Sequence, residues 1–578
     1  MNQDETLSAV ALPHADAVQP VDRRSWMKQA AGIVAGAASL SLPDTAAAAV
    51  TMPEPNPQAR PLADVRVTTP EAGVVETTSG NVRGFSRNGV HIFRGIPYGD
   101  TTGGANRFLP PKKPVAWTGV RSSTSWGPVS PHAPRGGWVN DEEQFLYQWD
   151  DGFAGEDMLR INVWTPAVND AARRPVLVWI HGGGFTSGSS QELRPYDGER
   201  LAKQHGAVLV SMNHRLNVFG FLDLSQVGGE AYASSANVGQ LDLVLALEWV
   251  RDNIARFGGA PSNVTIFGQS GGGRKVSTLL AMPAARGLFH KAAIFSGAHL
   301  RQATTEQSAQ LTAAVLQELS ISGSDIRRLH QVTTDELLNA GITAQRRVAQ
   351  ATAAGTPAPN WGPVVDGHVL PQHAFDTAAP ALSANIPVLI GNTYVEFGGG
   401  ANNPTAHELT FDQLRDRLLP LIGARTGDAI AAYRKVFPRA RPFEIWGVVQ
   451  GTRAYRIPSV TLADLKAVQA APVYMYWFGW NTPVLGGRPL AYHCQDLAFW
   501  FDNIDLAAQA TGGTDDARSL ASKMSGALVA FAKSGSPDHG GLPKWPAYSP
   551  ATRPTMVFEN DGVSVKNDPD KDARALVV

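Results

Sequence analysis

Two periodicities divide the chain. Residues 159–164 alternate apolar and polar like a half-buried strand, whereas 175–180 are continuously apolar like a strand buried on both faces. Residues 207–212, 291–296, 386–391 and 473–480 are further core-strand runs. Between them the apolar spacing changes to three and four. Leu243, Leu247, Val250, Ile254 and Phe257 mark the inner face of a long helix, and residues 306–347 and 411–468 read as helical insertions. Strands alternating with helices predict a single α/β domain: a mostly parallel central sheet carrying large helical excursions. Ahead of it, residues 74–85 and 91–97, broken by Ser79-Gly80-Asn81, read as antiparallel edge strands. Residues 108–126 read as Pro-rich loop, and 140–155, polar but holding Tyr147 and Trp149, as a surface loop overhanging any site.

Composition narrows the classes. Of 578 residues, 43% are hydrophobic and 17% charged, which suits a sizeable core, and a net charge of -1 gives no reason to expect nucleic acid as partner. The single cysteine, Cys494, forbids an intrachain disulfide and a thiolate zinc site. At the N-terminus, Arg23-Arg24-Ser25-Trp26-Met27-Lys28 precedes a small-residue apolar stretch at 30–42 and then Ala46-Ala47-Ala48-Ala49. That order predicts a twin-arginine export signal over 1–49 and a mature domain over 50–578, destined for the periplasm or for secretion. The stretch is shorter than the about 20 residues a membrane span requires, and an exported folded passenger without disulfides is consistent with the lone cysteine.

The chemistry centres on Val264-Thr265-Ile266-Phe267-Gly268-Gln269-Ser270-Gly271-Gly272, where an apolar strand runs into a tight turn and a helical pattern follows. A Gly-x-Ser-x-Gly turn in that setting is a nucleophile elbow, which exposes the hydroxyl of Ser270. A serine needs a base, the base needs an acid to orient it, and the developing oxyanion needs donors. His181-Gly182-Gly183-Gly184-Phe185 follows a core strand, so Gly183 and Gly184, with Gly271, are the expected oxyanion donors. Catalytic groups of open α/β sheets follow strand ends. Glu396 follows the 386–391 run and His493 the 473–480 run, which gives the order serine, acid, histidine. Asp366 is the rival acid, in a turn before its strand rather than after one. Asp496 is expected to cap a helix starting near Leu497, and His214, His290, His368 and His407 read as packing or surface groups. A metal site at His493 and Asp496 lacks further ligands, and neither metal nor cofactor is expected.

These motifs resemble those of the type B carboxylesterases, the cholinesterase-like α/β hydrolases. Besides the elbow, the resemblance lies in Glu156-Asp157-Met158-Leu159-Arg160-Ile161-Asn162-Val163-Trp164, in Phe93-Arg94-Gly95-Ile96-Pro97-Tyr98, in Ala491-Tyr492-His493 and in Trp545-Pro546-Ala547-Tyr548. The resemblance implies an α/β-hydrolase fold and hydrolysis of a small-molecule carboxylic ester through an acyl-enzyme on a Ser270, Glu396, His493 triad. An inactive cholinesterase-like adhesion domain, or an amidase or lactone hydrolase on the same triad, is the alternative. The chain departs from the family at two places. Met158 stands where a disulfide cysteine is usual, leaving the preceding loop without that staple, and Gln269 stands where glutamate usually flanks the serine. The missing carboxylate, together with Arg274 and Lys275 four and five residues on, favours neutral over cationic esters; the two cations are themselves expected to pair with carboxylates, away from substrate. Loops around Trp149 and Trp500 are the other expected source of selectivity.

Overall fold

Continuously apolar runs need cover on both faces, and they find it by pairing side by side between two helical layers. A computed structural model describes residues 65–66, 73–134, 141–353 and 355–578; the expected export signal lies outside them. The strands of the main sheet are β1 (Val65–Arg66), β2 (Phe85–Arg87), β3 (Val90–Pro97), β4 (Arg160–Thr165), β5 (Arg174–Ile180), β6 (Val208–Met212), β7 (Gly259–Gln269), β8 (Lys291–Phe295), β9 (Val388–Thr393), β10 (Val473–Gly479), β11 (Pro554–Glu559) and β12 (Gly562–Asn567). Among the described residues they form one sheet of 12 strands in the order β1-β2-β3-β4-β6-β5-β7-β8-β9-β10-β11-β12. Every pair from β6 through β11 is parallel. Antiparallel pairs close both margins: β1 to β4 with β6 on one side, and β11 with β12 on the other. This is the α/β-hydrolase arrangement. The 74–85 stretch contributes less to it than expected, because Val74–Thr77 and Gly80–Arg83 pair with each other and with Val120–Ser122 in a separate small sheet. That last strand lies inside the stretch read as Pro-rich loop.

Alternation along β5 shows why the strand is apolar throughout. Val176, Val178 and Ile180 point into one hydrophobic layer, Leu177 and Trp179 into the other. Helix α1 (Asp141–Tyr147) comes from the segment expected to be loop, and α2 (Val238–Asn253) packs Leu243, Leu247 and Val250 into the first layer, followed by Ile254 and Phe257 on the next turn. Helix α3 (Gly271–Leu279) leaves the elbow directly. The insertions are the pair α4 (Thr305–Glu318) and α5 (Thr334–Ala351), and the group α6 (Phe411–Ile422), α7 (Thr426–Val436), α8 (Pro442–Gly451) and α9 (Ile457–Lys466). Thr304, Thr333 and Thr410 start α4, α5 and α6 with reciprocal capping boxes to Gln307, Glu336 and Gln413, which satisfy otherwise orphaned N–H groups. After the short α10 (Asp496–Trp500), α11 (Asp515–Ser534) covers the second layer with Leu520, Met524, Leu528 and Phe531. Residues Ala63–Val578 form one compact unit, and among the described residues no helix is long and apolar enough to cross a membrane.

Candidate active site

The parallel strands β5, β7, β9 and β10 all end on one side of the sheet, and each hands its next residues to the same place. Ser270 sits between β7 and α3 with φ 55° and ψ -123°, a conformation unfavourable for any residue with a side chain. Contacts around the turn hold it there. A Cβ on Gly272 would lie 2.0 Å from the carbonyl oxygen of Ile180, and one on Gly268 2.5 Å from the carbonyl carbon of Gly272, so the two glycines of the motif are demanded by close backbone approach. The Ser270 N–H donates to Phe295 O at 2.9 Å, tying the elbow to the end of β8.

Beyond β5 the chain turns through Gly183 (φ 78°) and Gly184 (φ 63°), left-handed conformations that glycine adopts without strain. This loop packs on the elbow so closely that a Cβ on Gly271 would lie 2.1 Å from Gly184 O. Among the described residues no acceptor takes the N–H of Gly183, Gly184 or Gly271. Three donors, one of them in the first turn of α3 where the helix dipole is positive, thus remain available to an anion.

Glu396 and His493 meet behind the serine. Glu396 has φ 52° and is almost fully buried; its Oε1 accepts Ser296 Oγ at 2.7 Å and Thr393 N at 2.8 Å, while Oε2 is hydrogen-bonded to His493 Nδ1. A backbone bridge between Glu396 and Tyr492, with His493 N donating to Glu396 O at 3.1 Å, joins the two loops. A carboxylate accepts only, so Nδ1 carries the proton and Nε2 offers its lone pair. The imidazole lies beside Phe397 and Tyr455, with ring centroids 4.1 and 5.2 Å away. Ser270, His493, Gly183 and Gly184 line one cavity of 570 Å³. The rival acid is elsewhere: Asp366 accepts Asn237 Nδ2 and the N–H groups of His368 and Leu370, a turn-stabilising role.

The uncharged flank of the serine is engaged as well. Gln269 is fully buried; its Nε2 lies 3.1 Å from His493 Nε2, and its Oε1 accepts the Cys494 thiol at 3.1 Å. Lys275 is not at the surface: its ammonium donates to His181 O at 3.1 Å and Gly182 O at 3.4 Å. Arg274 is half-buried and, contrary to expectation, forms no ion pair among the described residues. Asp496 does not cap α10, whose N-cap is Gln495; it accepts Tyr476 Oη at 2.7 Å instead. Burial pushes its carboxyl up to about 7, a rise opposed by the Tyr476 bond and reinforced by the charge of Glu396. His214 stacks on His181, with burial and then the charge of Lys275 holding it well below the ordinary histidine range.

Tyr147 and Trp149 line the cavity, as expected of the segment that overhangs it, but the rest of the aromatic and acidic wall has no signal in the sequence. Tyr147, stacked on Trp149 at 4.7 Å, donates from Oη to His493 O at 2.7 Å; Tyr196, Phe397, Glu143, Glu192 and Cys494 complete much of the lining. Trp149 is at the site as expected. Trp500 is not, being buried against Phe295 in the second hydrophobic layer. The segment before Met158 is anchored without a disulfide. Glu156 pairs with Arg107, whose Nε donates at 2.7 Å, its carbonyl accepts Thr102 Oγ1 at 2.7 Å, and Val129 bridges to Ala154.

Comparison with known proteins gives the family of the chain. Residues 71–576 match the model of a family described as the carboxylesterase family. The chain is 36% identical to para-nitrobenzyl esterase of Bacillus subtilis over 87% of its own length and 97% of the relative's. It is 31% identical to phenmedipham hydrolase of Pseudarthrobacter oxydans, over 86% and 97%. Among solved structures, an esterase from Clostridium hathewayi described as hydrolysing aliphatic aromatic polyesters superposes with a TM-score of 0.78 at 33% identity, covering 89% of this chain and 99% of that one.

Proposed function

The chain belongs to the carboxylesterase family and is a carboxylic ester hydrolase, and on that premise we propose that it acts as a serine esterase through an acyl-enzyme. Ser270 Oγ attacks the ester carbonyl carbon as His493 Nε2 takes its proton; Glu396 holds the imidazole by Nδ1 and stabilises the imidazolium. The N–H groups of Gly183, Gly184 and Gly271 receive the oxyanion. His493 then protonates the departing alkoxide and deprotonates the water that releases the acid. Because Gln269 Nε2 faces His493 Nε2 before substrate arrives, that bond gives way as the serine engages. The observation that carries the reading is the convergence of the half-buried Ser270, an oriented imidazole and the uncommitted N–H groups of Gly183 and Gly184 on one cavity, with the free N–H of Gly271 on the residue next to the serine.

The test is activity-based labelling with a fluorophosphonate followed by kinetics on paired esters and amides. Ser270→Ala should lose both labelling and turnover, the latter by about 10⁴-fold or more, with an unchanged melting temperature. Glu396→Gln should lower kcat by on the order of 10³- to 10⁴-fold and Asp366→Asn only a few-fold. Wild-type rates in Ser270→Ala would remove the serine from the mechanism, and the reverse ranking of the two acids would exchange their roles.

The substrate we propose is a neutral alkyl or aryl ester. Its support is the uncharged Gln269 beside the nucleophile and the aromatic wall of Tyr147, Trp149, Tyr196 and Phe397, together with the name of the para-nitrobenzyl esterase relative. We also propose twin-arginine export to the periplasm or beyond, supported by Arg23-Arg24 ahead of an apolar stretch and by a family match that begins only at residue 71. Replacing both arginines with lysine should leave the precursor in the cytoplasm; undiminished periplasmic activity in fractionated cells would sink the idea.

A further inference from the structure

Lys275 belongs to the elbow helix α3, yet it serves the loop on the other side of the serine. Its side chain is fully buried. The ammonium donates to His181 O at 3.1 Å and Gly182 O at 3.4 Å, and lies 5.9 Å from the centre of the Phe185 ring. All three residues flank or belong to the stretch that supplies Gly183 and Gly184. The second carbonyl matters most, because Gly182 O and the Gly183 N–H are the two ends of one peptide unit. A cation hydrogen-bonded to the oxygen of a peptide draws electron density from its nitrogen and strengthens the N–H as a donor, and the effect is large where water is absent. Gly182 O also receives His181 Nδ1 at 3.1 Å, so two donors converge on it.

We propose that Lys275 is a positioning residue for ester hydrolysis. It pins the oxyanion loop to the elbow helix and, through the Gly182–Gly183 peptide, strengthens the donor that meets the developing oxyanion. The loop needs such a fastening. Gly183 and Gly184 both occupy left-handed backbone, and their N–H groups, being kept for substrate, add nothing to holding the loop. A buried ammonium adds a fixed positive charge on the side of the serine where negative charge appears in the transition state, and because it is in place beforehand it requires no reorganisation during reaction. The interaction acts on the charged transition state more than on the neutral ester, so its loss should reduce kcat rather than raise KM.

The inference rests on the serine-esterase reading, and the test separates the two. Fluorophosphonate titration counts active sites in wild type, Lys275→Met and Lys275→Arg, and rates are expressed per labelled site; no labelling in wild type would overturn the reading itself. With labelling intact, Lys275→Met should lower kcat by about 10- to 50-fold, less than the 10²- to 10³-fold expected for loss of a whole oxyanion donor, with KM changed by less than about three-fold. It should weaken a trifluoromethyl ketone, whose adduct carries the oxyanion, by the same factor as kcat/KM, while a non-reactive alcohol analogue binds as before. Lys275→Arg, which keeps a charge, should recover most of the loss. If Lys275→Met fails to fold, Lys275→Gln replaces it: the amide is a donor without charge, so kcat should still fall, by a smaller factor, with a matching loss of ketone affinity. Unchanged kcat per labelled site, or a fall in kcat without matching loss of ketone affinity, would overturn the inference alone.

Discussion

At the scale of the residue, the site turns on small differences in what a side chain can donate, accept or carry as charge. Gln269 is the clearest case. Its amide spans Cys494 and His493, so the flank of the serine is filled by a dipole rather than by a carboxylate, and a cationic alcohol group entering the cavity gains no ion pair there. Gln269→Glu should therefore raise the ratio of kcat/KM for a choline ester over its uncharged isostere by about five- to tenfold, as measured on the two substrates in parallel. A wild-type preference for the cation would overturn the argument and shift selectivity to Glu143 and Glu192, which also line the cavity. The candidate site was legible in the sequence because Ser270, Glu396 and His493 each follow a strand whose apolar run is easily read. Gln269's bond to the imidazole was not, since nothing in the motif says where the amide points. Asp496 was misread for a related reason. Its place before an apolar helix suits a cap, but Tyr476 lies close enough to claim it.

Among the elements, continuously apolar strands were recovered to within a few residues, because burial on both faces leaves an unmistakable run. Elements that hold their place through tertiary contact were missed. Helix α1 is polar and only seven residues long; what secures it is Leu146 in the second hydrophobic layer, Tyr147 on Trp149, and the Tyr147 bond to His493 O. The margin formed by β11 and β12 was missed as well, since β12 is exposed on much of its length and so lacks an apolar signature. The helix α1 bond has a kinetic consequence. Tyr147→Phe removes one hydrogen bond that steadies the loop bearing His493, and on the proposed mechanism, at about 0.5–1.5 kcal/mol for such a bond, kcat should fall roughly 2- to 12-fold. Stopped-flow acylation with a chromogenic ester reads this directly, and an unchanged burst rate would show that the loop holds His493 without α1.

For the molecule as a whole, stability should depend on pH through Asp496. Burial raises this carboxyl from 3.8 to about 7, so between those values the folded chain binds a proton that the unfolded chain has lost. Stability from this group is complete below the lower value, declines as pH rises, and levels off above the upper one. The shift corresponds to on the order of 4 kcal/mol. Asp496→Asn keeps a partner for Tyr476 and abolishes the titration. Scanning calorimetry from pH 5 to 8 should therefore show the variant gaining on wild type as pH rises, and parallel curves would assign the pH dependence to other groups. The contact that joins Gln269 to His493 carries a further consequence, one of timing. Gln269 and His493 stand 224 residues apart, so at about 5–20 residues per second the ribosome makes the elbow on the order of ten seconds or more before His493. On the proposed mechanism, until β10 and the loop after it are in place the nascent chain carries a serine with no imidazole to deprotonate it, and hydrolysis is withheld until most of the sheet has been synthesised.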